Sequence, residues 1–569
     1  MKLLTRVGWA VGVVLLGLCS SPLMAADAAL EAIPEGAAVV VRLKAPKTTT
    51  DKVAAFVNMV QPGFGQQVKL QAKAIGIGIL NPTMEGVDES KDWYVAVFAP
   101  EPGEEKPDTV FIIPATDTKR MAEGLGEDVK FMDYSGFGVY TQSEAAAEVM
   151  KKHLSSKGKS MASVIDASSL AAMDRGELAV YVNVAGLLTK YSAELEALAE
   201  QGLNEIDNLP EQDGVDPEAA RAMLKLMLDG GLKGLKDVTG LVATVSVVKT
   251  GVTLEQFAKV KSGSGVDKIL AKSAPEDLAG IGQLPEGEHI YLGARFDTAT
   301  AIDLSKQIFK VMPLENDVRE KFEKSLAETK SMKFGAVIGA MSLGDLESGL
   351  IQGVTQMFVS PTDKMREMFK AQAELSAATS KVPGLTMKTE YKEGADKVGD
   401  VSVDEMTLTV ELDDDAEEQA QMSKKILDYV YGSEGMTARY AFLKDRVVYT
   451  IGGDLDDMKA ALDNVSSPAK PTEGFLKTRG KLSEKANIVY MMDLAQLIAD
   501  GAQLASEAGL VPFQINDDLI EGLDLKESYI GFSAATEPQA VRVVWHVPVE
   551  QVQGFAKMAI MGAALQAGQ

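Results

Sequence analysis

Three histidines, His153, His289 and His546, are the first residues to test for chemistry, because clustered imidazoles hold metal ions. They stand far apart in the chain, and no His-Glu-x-x-His helix pairs two of them. The sequence therefore supports neither a metal site nor a zinc hydrolase. Carboxylates are plentiful enough to raise calcium instead. The runs Glu411-Leu412-Asp413-Asp414-Asp415 and Gly453-Asp454-Leu455-Asp456-Asp457 could supply hard oxygen ligands. Neither has the alternate acidic spacing, central glycine and closing glutamate of an EF-hand loop. Both read as helix starts, where carboxylates satisfy exposed amides and face the positive end of the helix dipole.

Nucleophilic chemistry fares no better. Ser156-Lys157-Gly158-Lys159 places serine and lysine at the spacing of penicillin-binding-type hydrolases, and Lys249-Thr250-Gly251 reproduces their strand triplet. The Ser-Asp-Asn or Tyr-x-Asn element between them is missing. Ser156 falls in a hydrophilic linker and the triplet at a hairpin tip, so both read as chance matches. Ser262-Gly263-Ser264-Gly265 reads as a flexible loop rather than a nucleophile elbow. Gly76-Ile77-Gly78 lacks the third glycine of a dinucleotide motif, and no Walker loop occurs. The residue patterns assign no catalytic residue, no metal ligand and no cofactor, and an enzyme is not the expected class.

The ends and the charge say more. Lys2 and Arg6, the apolar run Val7–Leu18, and the small residues Ala25 and Ala26 have the layout of a cleaved export signal. The apolar run is too short for a spanning helix. The one cysteine, Cys19, lies inside that leader, so disulfides and thiolate chemistry are not expected in the mature chain. Removing Lys2 and Arg6 leaves 57 − 2 = 55 basic against 82 acidic residues, a charge of 55 − 82 = −27. Such a surface repels phosphate backbones and anionic head groups, and it suits cationic partners. The expected location is the periplasm or the cell exterior, with no nucleic acid and no membrane insertion.

Self-similarity constrains the elements that would position any site. Pro34-Glu35-Gly36, the apolar Ala38–Val41 and Lys44 correspond to Pro285-Glu286-Gly287, Ile290–Leu292 and Arg295 at an offset of 285 − 34 = 251. The match continues through Val53/Leu304, Val57/Ile308, Val60/Val311 and Pro62/Pro313, one face of an amphipathic helix with Thr and Asp capping candidates. Val139-Tyr140-Thr141 matches Val448-Tyr449-Thr450, and Leu178–Leu188 matches Ile488–Ile498 with Asn183 opposite Asp493, at offsets of 309 and 310. The later half thus carries extra material, placed near Ala373–Glu434.

Four hairpins are predicted at Trp93–Ile113, Leu241–Leu254, Phe334–Phe358 and Tyr529–Val547. Helices are predicted directly after them, at Thr116-Asp117, Leu254-Glu255, Thr362-Asp363 and Val549-Glu550. A further helix should start at Asp216-Pro217-Glu218, face the core with Met223, Leu224, Met227 and Leu228, and end at Gly230-Gly231. The fold class is α+β: tandem duplicated units of antiparallel sheet covered by helices on one side. The first half spans 27–272 (units 27–155 and 160–272) and the second 278–569 (units 278–465 and 474–569).

The Pro-Glu-Gly turn leading into a strand, within an acidic exported chain, resembles a loose group of uncharacterised bacterial secreted proteins with domains of unknown function. That resemblance covers the opening segments and the general layout, and it implies no catalytic residues. The expected function is a non-enzymatic exported repeat protein with a binding or scaffold role for a protein or ligand partner. The alternatives are an envelope-polymer hydrolase with paired carboxylates and a hydrophobic-ligand carrier.

Overall fold

The computed structural model describes residues 28–567, except 102–103, 105, 157, 208–216, 296, 312–315, 348, 380, 383, 414–417 and 512–513. The expected leader with Cys19, and the acids Asp414 and Asp415, lie outside the described residues. The chain divides into two compact units. Among the described residues, unit 1 takes those within 28–207, 224–271 and 537–549, and unit 2 those within 217–223, 272–536 and 550–567. Both combine helices with antiparallel strands, as α+β predicts.

Unit 1 contains β1 (Val39–Leu43), β2 (Trp93–Phe98), β3 (Asp108–Pro114), β4 (Lys130–Tyr134), β5 (Phe137–Thr141), β6 (Leu178–Val182), β7 (Val238–Val248) and β8 (Gly251–Val260). They lie side by side as β4-β5-β3-β2-β1-β6-β7-β8. The valine-rich β1 sits mid-sheet, where branched side chains pack well on a pleated surface. Neighbouring strands that a tight turn could join are instead joined by helical excursions. Between β1 and β2 run α1 (Pro46–Val60), α2 (Gly65–Ala72) and α3 (Ile75–Gly78). After β5 come α4 (Glu144–Ser156) and α5 (Ala167–Met173), and between β6 and β7 run α6 (Val184–Lys190), α7 (Ser192–Asp207) and α8 (Pro217–Asp237).

Four local expectations change here. No side chain caps α1: left-handed Ala45 precedes Pro46, and the threonines and Asp51 lie inside the helix. α8 continues through Gly230-Gly231 to Asp237, and its stripe is no core face, since Leu224 and Met227 are 39% and 67% exposed. Leu254-Glu255 is mid-strand, held extended by pairing on both sides, and the next helix begins only at Gly265. There Ser264 accepts a bond from the Asp267 amide, so the expected loop is a helix cap.

Unit 2 contains β9 (Ile290–Ala294), β10 (Lys333–Leu343), β11 (Ile351–Ser360), β12 (Lys381–Val382), β13 (Leu385–Val398), β14 (Val401–Leu412), β15 (Met436–Phe442), β16 (Arg446–Ile451), β17 (Ile488–Met492) and β18 (Ile530–Glu537). Their order is β12-β13-β14-β15-β16-β11-β10-β9-β17-β18. The helices used below are α9 (Thr298–Val311), α10 (Asn316–Thr329), α11 (Thr362–Thr379), α12 (Glu418–Tyr431), α13 (Leu455–Ser466), α14 (Leu494–Glu507) and α15 (Val549–Ala567). Helix starts at Thr362 and Val549 agree with the proline-marked boundaries.

Strands β12–β14 and helix α12 occupy the segment that the internal similarity leaves over. Buried Asp404 fixes them: it accepts from the Tyr391 hydroxyl at 2.6 Å and the Gly394 amide at 2.9 Å, and it pairs with Arg366 of α11 at 2.9 Å. Along β13, Lys388, Lys392 and Lys397 supply the charge that discourages edge-to-edge association. The last strand, β19 (Ala540–Pro548), belongs to unit 1, where it pairs with β8 over nine residues.

Candidate functional site

Each of the three histidines has a structural partner. His153 on α4 bonds the Glu31 carbonyl at 2.9 Å, His289 bonds Asp500 at 2.8 Å, and His546 on β19 bonds Thr253 at 2.9 Å. Asp454 and Asp457 form a capping box at the start of α13, as the helix-start reading requires. Glu411 lies near the end of β14 and pairs with Lys388, and Asp413 accepts from Thr386, while Asp414 and Asp415 of that run lie outside the described residues. Ser156 is the last residue of α4, and Lys249 and Thr250 form the β7–β8 turn. Among the described residues, no group of three or more His, Cys, Asp or Glu side chains could hold a metal ion.

A polar node in unit 2 was not visible as a motif. Asp493 caps α14, as its match Asn183 caps α6. Its carboxylate also accepts from Gln551 of α15 at 2.7 Å and from the Ser528 amide at 3.2 Å. Glu288 accepts from the Ser342 hydroxyl at 2.7 Å, and Asp500 accepts from Gln496 at 2.7 Å. Burial raises the Glu288 carboxyl above the usual range, against the Ser342 bond and nearby His289. Burial likewise raises Asp493, against its hydrogen bonds. Among the described residues no serine bonds His289, whose ring nitrogens face Asp500 and the Leu343 amide. These bonds tie β9, β10, α14 and α15 together.

A second feature is a cavity of about 290 Å³ between the end of β14 and α12, lined by Thr409, Glu411, Lys424, Asp428, Tyr431 and Glu434 among others. Its one ammonium is already neutralised, because Lys424 bonds both oxygens of Asp428 at 2.7 and 2.8 Å.

The third feature is the unit 1 sheet, which is largely apolar on both faces, unlike an ordinary half-solvated antiparallel sheet. One face is closed. Val40, Tyr94, Ile112, Tyr181, Val242 and Phe257 pack there under Met150 of α4 and Ala172 and Met173 of α5. This closed face also holds the charges. Arg42 bonds Asp174 and, at 2.8 Å, the Met173 carbonyl. Arg542 bonds Glu255 and Glu537 and lies 4.9 Å over the Phe257 ring, while Arg175 meets Glu255 at 2.9 Å.

The opposite face is apolar yet only partly covered. Strand register places its side chains in rows, because directly paired residues point the same way. One row runs Leu43, Leu178, Val245, Leu254, Trp545. The next runs Val41, Val180, Ala243, Gln256, Val543, and a third runs Val39, Val182, Leu241, Ala258, Val541. At the β1 end Leu43 and Leu178 are covered, with Trp93, by Ile75 and Ile79. From β6 to β19 the row residues are only half-buried, Trp545 is 42% exposed and Gln256 is exposed. The connecting helices α7 and α8 contain no buried side chain among their described residues. With strands about 4.8 Å apart and same-face residues about 6.8 Å apart, the rows over these four strands make a field of roughly 15 by 15 Å.

Comparison with protein-family models, with curated proteins and with solved structures gives no match. Among the described residues no helix is long and apolar enough to cross a membrane.

Proposed function

We propose that this is an exported, non-enzymatic binding protein, acting in the periplasm or outside the cell, that holds an apolar ligand on the open sheet face of unit 1. The observation that carries this reading is the three-row apolar field from β6 to β19, which is only partly buried although the same strands bury Glu255 and Arg542 on their other side. Water disfavours such a field. An acyl-type ligand would remove it from water. Titration with Nile red, a neutral solvatochromic dye, should give saturable binding that Ala243→Glu abolishes while far-ultraviolet circular dichroism is unchanged. Absence of saturable binding, or binding indifferent to Ala243→Glu, would count against it.

The scaffold is proposed to be a tandem duplication. Support comes from strand order: β4-β5-β3-β2-β1-β6-β7 in unit 1 runs parallel to β15-β16-β11-β10-β9-β17-β18 in unit 2. The starts of β1 and β9 differ by 290 − 39 = 251, of β5 and β16 by 446 − 137 = 309, and of β6 and β17 by 488 − 178 = 310. Those are the offsets of the sequence similarity. In this reading β12–β14 and α12 were added between the counterparts of β3 and β4.

A further inference from the structure

The cavity beside α12 joins features of one electrostatic sign. α12 ends at Tyr431, one of the residues lining it, and the C-terminal end of a helix is negative. Basic residues offset that end in many helices, but the last turn of α12 contains none and carries Asp428 instead. Glu411 and Glu434 line the same cavity. Lys424 neutralises Asp428 and Lys388 pairs with Glu411, whereas the exposed Glu434 has no ion-pair or hydrogen-bond partner among the described residues. The helix end and Glu434 therefore stay uncompensated, and the chain's net charge of −25 adds to the attraction for a cation. The lining also selects the kind of cation. Among the described residues no three His, Cys, Asp or Glu side chains could hold a metal ion, so the carboxylates of the cavity do not converge on one point. Val410, Leu427 and Tyr431 give it apolar walls, which a bare ion leaves facing water and a hydrocarbon chain covers. Its volume of about 290 Å³, against roughly 30 Å³ for one water in the liquid, admits a short chain of heavy atoms.

Independently of the unit 1 face, we propose that this cavity binds a small aliphatic amine, its ammonium between Glu434 and the end of α12 and its methylenes against Val410 and Leu427. Every lining residue except Gly435 belongs to the segment Ala373–Glu434 that the internal similarity leaves over, so the site is an addition to the repeated scaffold. The test is a ligand-observed NMR titration of the full chain with butylamine at low ionic strength, with magnesium ion as charge without a chain and butanol as a chain without charge. Butylamine should bind saturably, and neither magnesium at the same concentration nor butanol should displace it. Glu434→Gln should weaken it about two- to five-fold, the range of one exposed ion pair. Ser433→Lys, at an exposed lining position, should abolish binding by placing a tethered ammonium in the cavity. Glu521→Gln, which removes an exposed carboxylate of unit 2 outside the cavity, should change nothing. Absence of saturable binding would overturn the site, as would displacement by magnesium at the same concentration. Equal weakening by Glu434→Gln and Glu521→Gln would show diffuse attraction to an acidic chain and overturn it as well.

Discussion

The unequal cover of the two faces of the unit 1 sheet decides where a charge can be placed. Val242 and Val543 are both strand valines of the same unit, but Val242 is 1% exposed on the closed face and Val543 is half-buried on the open one. Val543→Lys gives up part of a valine burial, about 1 kcal/mol, and the new ammonium can reach water along its flexible stem. Val242→Lys loses the whole burial and strands an ammonium among Tyr181, Phe257 and Ala172, at a cost of about 4 kcal/mol or more. The expected gap is therefore about 3 kcal/mol. Urea unfolding can be followed by tryptophan fluorescence in a chain without residues 1–26 and with Trp545→Phe, leaving Trp93, 1% exposed in unit 1, as sole reporter. With a slope of about 1–3 kcal/mol per molar, Val242→Lys should lower the midpoint by more than about 1 M, and Val543→Lys by much less. Equal losses at the two positions would show that both faces are closed core, refuting the difference in cover and the binding proposal built on it.

Glu288→Gln tests the unit 2 node by pH. A carboxyl raised in the folded state stabilises below its ordinary value of 4.5, and that contribution is lost as pH rises through the raised value, so the variant should gain on the parent above that point. Thermal midpoints measured across that window check this, and a constant difference would sink it. Arg542→Met leaves Glu255 with only Arg175 and frees Glu537, and it should cost about 3 kcal/mol in urea unfolding; a loss below about 1 kcal/mol would mean the network is solvated. A Cβ at Gly230, Gly231 or Gly234 would meet nothing within 4 Å, so each change to alanine should stabilise α8 by about 0.4–1 kcal/mol. Slower hydrogen exchange of α8 amides is the readout, and unchanged exchange in the triple variant would contradict it.

Local chemistry was legible wherever it depends on neighbours in sequence. The cap at Asp454, the helix starts at Thr362 and Val549, and the hairpin strands from Trp93 and Lys333 follow from short-range pattern. The same short range explains the misreadings. Gly230-Gly231 looks like a stop, but nothing downstream terminates α8 before Val238 enters the sheet, and Leu254-Glu255 looks like a helix start until two flanking strands hold it extended.

By itself the sequence determined the acidic charge, the α+β class and the spacing of its strands, since these depend on composition and periodicity. The candidate site could not be read there. Alternation tells that Val180, Ala243, Leu254 and Val543 share a face with their own neighbours along each strand, but not that the four strands stand side by side. Nor does it tell which face the helices leave open. Only the pairing of β19 with β8, nearly three hundred residues apart in the chain (545 − 254 = 291 for Trp545 and Leu254), completes the rows, because register between distant strands is set by tertiary packing and not by local preference.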